Sequence, residues 1–98
     1  TYNVASSLSF GRSDVVLRSA RSQSGGAPNP NGVVINGLNG FSGGSNDTRV
    51  DELVRIFASD VSIIDVTLRN ARDHVIHVYP NGSTITGRCV WRLSTATA

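Results

Sequence analysis

The chain has 98 residues, a net charge of +2 and 39% apolar residues, which suits one domain with a modest core. Its nine cationic residues are all arginines and are scattered along the chain, which argues against a nucleic-acid partner. The single cysteine, Cys89, excludes an internal disulfide. No apolar stretch is long enough for a membrane span, and no signal-peptide pattern is present.

Short apolar segments with a period of two predict β-strands along the chain, because successive strand residues point to opposite faces. Dipeptides typical of turns separate these segments, and no stretch has the apolar period of a helix. In chain order the predicted strands are marked by Val15/Leu17, Val33–Ile35, Val54/Ile56, Val61/Ile63, Val66/Leu68 and Ile76/Val78.

Two segments rich in Gly, Ser, Asn and Pro interrupt the strand pattern, near 22–31 and 40–50. This composition predicts loops. Loops that project from a strand scaffold often carry a binding face, but a plain spacer is the favoured interpretation here.

An internal repeat relates the segments 51–57 and 73–79, which match at a spacing of 22 residues with apolar and aromatic types conserved in place. A second sequence match relates residues 14–21 to residues 65–72. Parallel strands that stack at about 4.8 Å would bury such aligned apolar positions on one another. The expected pairs are Val54 with Ile76, Ile56 with Val78, and Val66 with Cys89.

The repeat predicts an all-β fold, a right-handed parallel β-helix (a β-solenoid) of about three to four coils with a repeat of about 22 residues. Residues 1–98 would form a single β-helix segment of a longer solenoid. A β-sandwich is the competing fold, and it is disfavoured because sandwich strands repeat irregularly and run antiparallel. Since neither end shows a cap, we expect missing flanking coils or end-to-end association.

The strand segments also carry a family resemblance. They are 1–4, 13–18, 53–56, 59–63, 66–71 and 73–78. Together they resemble consecutive strands of the pectate-lyase-like parallel β-helix superfamily, over most of the chain. Asn70 falls at a turn where such proteins often stack asparagines, which implies a structural role for it.

The resemblance implies a protein that is secreted or at the cell surface, but it says less about activity. The superfamily includes pectate lyases, polygalacturonases, uronan epimerases, phage tailspikes and surface proteins without known activity. Its lyases bind substrate on the outer face of one parallel sheet, hold Ca²⁺ with acidic residues and remove a proton with Arg or Lys. A complete set of those residues is not matched here.

Asp51 and Asp73 are the candidate metal ligands. The repeat places them at adjacent strand entrances, about 5 Å apart, where two carboxylates repel unless a cation lies between them. Ca²⁺ prefers such oxygen ligands. The alternative is that each aspartate caps its own turn, and only two ligands are visible.

Arg55 and His77 are the candidate catalytic residues. They are expected to face outward side by side, where they could bind an anionic sugar or act as acid and base. The alternative is a pair of solvated surface residues. His74 and His77 are three residues apart and are expected on opposite faces of a strand, so the Asp-His-x-x-His pattern is not predicted to bind a metal.

Arg69, Arg92 and Tyr79 are the candidate substrate-binding residues. If the matched segments stack on one another, Arg69 and Arg92 would join Arg18 in an arginine row suited to a polyanion. The alternative is a soluble face with salt bridges. Tyr79 could present an aromatic surface to a sugar, although stacking on Phe57 within the fold is favoured.

The function expected from these features is an extracellular, carbohydrate-associated segment that binds an acidic polysaccharide and, if it is an enzyme, cleaves it as a uronan lyase does. The alternative is a non-catalytic structural or adhesive β-solenoid. Ca²⁺ is the one cofactor that the residues suggest.

Overall fold

The computed structural model describes residues 1–19 and 32–79 in full, and residues 90–96 as backbone. The predicted 22–31 loop, Cys89 itself and the side chain of Arg92 lie outside the described residues. All regular secondary-structure elements within the described residues are strands, and none is a helix. The strands are β1 (Tyr2–Asn3), β2 (Leu8–Phe10), β3 (Val15–Arg18), β4 (Val33–Asn36), β5 (Glu52–Ile56), β6 (Val61–Arg69), β7 (His74–Val78) and β8 (Val90–Ala96).

The described strands form two sheets, and every strand pair in them is parallel. The five-stranded sheet has the order β1-β4-β6-β3, with β8 also pairing with β6, and the three-stranded sheet has the order β2-β5-β7. Because parallel neighbours cannot be joined by a tight turn, the chain passes from one sheet to the other between them. The buried core draws on both sheets: Ile35, Val50, Leu53, Val54, Ile56, Val61, Ile63, Val66, Leu68 and Ala71.

The prediction of a right-handed parallel β-helix with three to four coils of about 22 residues is wrong. Val54 pairs with Ile76 at the predicted spacing, but Leu8 pairs with Val54, and Val15 with Val61, at a spacing of 46 residues. Among the described strands the repeat therefore holds for β5 and β7 alone. The described residues instead form a three-stranded sheet and a five-stranded sheet that curves as a half-barrel.

The long strand β6 explains why no constant repeat exists. It bends at Asp65, whose φ of 56° lies in the left-handed region, and its two halves pair with two separate strands, β3 and β4. The end of β3 and the start of β4 meet beside this bend, where Ser19 donates its amide to Ile64 O at 3.2 Å and Val33 donates its amide to Ser19 Oγ at 3.2 Å. The register with β8 shifts at the same point, so that Val66 lies opposite Leu93 and the predicted pairing of Val66 with Cys89 is wrong.

Three asparagines form a row at the ends of β1, β4 and β6. Asn36 Nδ2 donates to Asn3 Oδ1 at 3.0 Å, and Asn70 Nδ2 donates to Asn36 Oδ1 at 2.6 Å. Asn70 has a φ of 64°, a conformation that asparagine tolerates better than most residues. The structural stacking role predicted for Asn70 is confirmed.

The loop near 40–50 is organised by side chains. Asn39 Nδ2 donates to Thr48 O at 2.7 Å, and Thr48 Oγ1 donates to Asn39 O at 3.0 Å. Arg49 donates to both carboxylate oxygens of Asp47, which lowers the pKa of that carboxyl, and the Arg49 guanidinium carbon lies 5.5 Å from the ring centre of Phe41. These contacts fix the position of Arg49 at the base of the loop.

The turn after β4 requires a glycine. A Cβ at Gly37 would lie 3.0 Å from Asn70 O, 3.1 Å from Leu53 Cδ1 and 3.2 Å from Val50 Cβ. We expect Gly37→Ala to reduce the free energy of unfolding by about 1–3 kcal/mol, the usual cost of overpacking. Urea unfolding measures this loss. Gly11→Ala is the matched control, because a Cβ there meets nothing within 4 Å, and equal stabilities of the two variants would contradict the packing described.

Candidate functional site

A break in the strand alternation creates the candidate site. Leu53 and Val54 are consecutive residues, yet both are fully buried. The residues on either side of them, Glu52 and Arg55, are therefore brought together although they are three apart, and Arg55 Nε donates to Glu52 Oε1 at 3.0 Å.

The neighbouring strand β7 repeats this arrangement, because Glu52 pairs with His74 and Arg55 with His77. The two imidazole rings meet edge to face with their centroids 4.8 Å apart. The prediction that His74 and His77 face opposite sides of the sheet is wrong, since it assumed an unbroken alternation. The prediction that Arg55 and His77 lie side by side is confirmed.

Glu52 is the centre of this site. It is 4% exposed, and its carboxylate accepts hydrogen bonds from Arg55 Nε, Tyr79 Oη and His77 Nδ1. A buried carboxylate is costly unless such partners satisfy it. We call the set Glu52, Arg55, His74, His77 and Tyr79 the Glu52 cluster.

The partners of Glu52 determine its ionisation. Burial acts to raise the pKa of this carboxyl, but the hydrogen bonds from Tyr79 and His77, with the charge of His77 and the bond from Arg55, outweigh burial and lower the pKa overall. The hydrogen bond to Glu52 also raises the pKa of the Tyr79 hydroxyl, and burial adds to this effect. At neutral pH the cluster thus combines an ionised carboxylate with a neutral phenol donor.

An aromatic stack borders the cluster. The rings of Phe57 and Tyr79 are stacked with centroids 4.9 Å apart, and those of Tyr79 and His77 with centroids 4.0 Å apart. The predicted stacking of Tyr79 on Phe57 is confirmed. Phe57 remains 36% exposed, so the stack offers apolar surface beside polar groups.

A polar groove of about 390 Å³ opens beside Arg55. We call it the serine groove. The only hydrogen bond that the Arg55 guanidinium donates within the described part of the chain comes from Nε, so its two terminal nitrogens face no protein acceptor there. The groove is lined by Ala5, Ser6, Ser7, Ser9, Asn39, Arg49, Val50, Asp51 and Arg55.

The predicted calcium ligands Asp51 and Asp73 are adjacent, as expected, and the Asp73 amide donates to Asp51 O at 2.9 Å. Their carboxylates have different partners. Asp51 Oδ1 accepts from Arg72 Nε at 3.3 Å, whereas Asp73 Oδ2 lies 3.5 Å from His74 Nε2. Calcium binding by this pair stays a prediction.

The remaining candidates lie on the five-stranded sheet, away from the Glu52 cluster. Arg69 is exposed and pairs with Asn36, while Arg18 and Arg92 both pair with Ile64. The matched segments therefore do not stack the three arginines into one row, because the two halves of β6 pair with different strands. Substrate binding by Arg69 and Arg92 stays a prediction.

Comparison with protein-family models, curated proteins and solved structures gave no match. The resemblance to the pectate-lyase-like superfamily accordingly stays a prediction. In the part of the chain that the structure describes, no helix is long and apolar enough to cross a membrane.

Proposed function

We propose that the serine groove and the adjoining Glu52 cluster bind an acidic polysaccharide outside the cell. The observation that carries this proposal is how the guanidinium of Arg55 is held and exposed. Its Nε is held by the buried Glu52 carboxylate, its side chain is 38% exposed, and the residue lines the groove. A guanidinium fixed in this way is suited to a bidentate contact with a sugar carboxylate.

The other groups of the groove suit the rest of a sugar chain. Ser6, Ser9 and Asn39 provide hydroxyl and amide groups that both donate and accept hydrogen bonds, as sugar hydroxyls do. Outside the groove, Phe57 stacks on Tyr79 of the Glu52 cluster and offers exposed apolar surface for the faces of sugar rings. A ligand with carboxylates and hydroxyls would use both sets of groups, whereas a purely neutral glycan would offer no anionic group to the terminal nitrogens of Arg55.

For a uronan ligand the proposal extends to cleavage by β-elimination. Arg55 would neutralise the uronate carboxylate and His77, which neighbours Arg55 in the sheet, would accept the α-proton. The electrons of the broken C–H bond would form the double bond, the C–O bond at the β-carbon would break, and the leaving sugar oxygen would take a proton from water. Binding does not depend on this step, and product formation is a separate measurement.

A non-catalytic structural or adhesive function is the second candidate. Within the described residues, β2 and β7 each pair with one strand only, so the three-stranded sheet has two edges there. Such edges are templates for pairing with another chain. Self-association of the protein without glycan binding would favour this candidate.

Titration calorimetry with oligogalacturonates and oligoalginates, against neutral xylan oligosaccharides, tests the proposal. We expect an acidic glycan to bind and Arg55→Ala to weaken that binding about tenfold or more, equivalent to about 1.4 kcal/mol. Arg12→Ala is the matched control, since Arg12 is an exposed arginine that does not line the groove, and its replacement should leave the affinity within about twofold.

Equal losses in the two arginine variants, or equal binding of neutral glycans, would contradict the proposed groove. Absorbance of unsaturated products, followed with and without Ca²⁺, shows whether the bound chain is also cleaved. Product that disappears in His77→Ala would assign the proton-accepting role to that residue.

A further inference from the structure

Three potential metal ligands come together in the Glu52 cluster. One carboxylate oxygen of Glu52 and one ring nitrogen each of His74 and His77 lie within 4.8 Å of one another. These are the two histidines of the whole sequence. All three residues belong to β5 and β7, whose register pairs Glu52 with His74, so paired strands rather than a loop position the ligands.

We propose that Glu52, His74 and His77 form a binding site for a divalent transition-metal ion of the zinc class. Zinc binds imidazole nitrogen and carboxylate oxygen at about 2.0–2.2 Å, so tetrahedral ligand atoms lie about 3.3 Å apart. Separations of up to 4.8 Å place the three atoms within a side-chain rotation of that geometry. Three protein ligands leave the fourth position to water or to a bound molecule.

The ligand types select the metal. Two imidazoles and one carboxylate favour zinc, nickel or copper, whereas Ca²⁺ and Mg²⁺ prefer sites built from oxygen atoms. The site therefore differs from the calcium site suggested by Asp51 and Asp73 in both residues and metal. The site shares Glu52 and His77 with the proposed glycan site but does not use Arg55, so zinc binding and glycan binding can be measured separately.

The surroundings of the three ligands support the site. Arg55 Nε and Tyr79 Oη both bond Glu52 Oε1, while His77 Nδ1 contacts the other oxygen, Oε2. A metal ion would thus replace the His77 contact and leave Oε1 held in place. Asp73 Oδ2 lies 3.5 Å from His74 Nε2, and a carboxylate beside a ligating histidine orients its ring and adds negative charge.

The test is zinc titration by calorimetry of untagged protein, freed of metal with a chelator, in the absence of any glycan. A Cys89→Ser background removes the single thiol as a competing ligand. We expect one zinc ion per chain and no competition from Ca²⁺. Co²⁺ in place of zinc should give the visible absorption of a tetrahedral site.

His74→Ala and His77→Ala should each weaken zinc binding about tenfold or more. His74 is half-exposed, so its replacement should leave the fold intact, as circular dichroism can verify. Asp51→Asn is the matched control and should bind zinc normally. The proposal is overturned if zinc does not bind stoichiometrically, if both histidine variants retain full affinity, or if Asp51→Asn abolishes binding. If the protein binds zinc but no acidic glycan, the proposed function is contradicted and the zinc site is not.

Discussion

Glu52→Ala is expected to lower the free energy of unfolding by about 2 kcal/mol, a large fraction of the stability of a small domain. The carboxylate is almost fully buried and accepts hydrogen bonds from three side chains, those of Arg55, His77 and Tyr79. Its removal leaves these donors without their shared acceptor, and one of them is always charged. Urea unfolding followed by circular dichroism measures the loss.

Glu52→Gln is the informative companion to that variant. Glutamine keeps the size and one acceptor oxygen but loses the charge, so we expect it to be less destabilising than alanine. If Glu52→Ala unfolds at the wild-type urea concentration, the Glu52 cluster does not form as described. The same variants should weaken glycan binding, because Arg55 would lose the carboxylate that fixes its guanidinium.

Leu68→Ala is expected to have the largest effect on stability, about 2–5 kcal/mol. Leu68 is fully buried on β6, the strand of the five-stranded sheet that pairs with three others, and it lies opposite Ile35. Its truncation removes buried apolar area and leaves a cavity in the core. The surrounding strands cannot fill this cavity unless the sheet moves. Thermal and urea unfolding should both show the loss.

Val16→Ala on β3 is the control for Leu68→Ala. Val16 is 55% exposed, so its truncation should change the stability by about 0.5 kcal/mol or less. A similar cost at both positions would mean that Leu68 does not lie in the core. Together the two variants test the assignment of inward and outward positions in the five-stranded sheet.

The sequence predicts the local strands better than their arrangement. A period of two marks the strands because one face of each is buried, and the match of 51–57 with 73–79 gives the register of β5 and β7 correctly. The spacing of 22 could not be extended, because β6 bends at Asp65 and pairs with β3 and β4 at different distances along the chain. Local similarity does not reveal such a bend.

Part of the candidate site could also be predicted. The sequence predicts Arg55 and His77 as outward neighbours and Tyr79 as a candidate binding residue, and all three contact Glu52. Glu52 itself was missed, although the repeat aligned it with His74. An irregular strand start, in which Leu53 and Val54 are both buried, brings these residues together, and alternation rules assume that no such irregularity occurs.

Mapping of NMR chemical shifts during titration with an acidic oligosaccharide tests the central claim most directly. We predict saturable shifts at the amides of Ser7, Ser9 and Arg55 and at the Arg55 Nε, with little change at Arg18 and Arg69. Shifts centred on Arg18 and Arg69, or none at saturating ligand, would contradict binding at the serine groove and the Glu52 cluster.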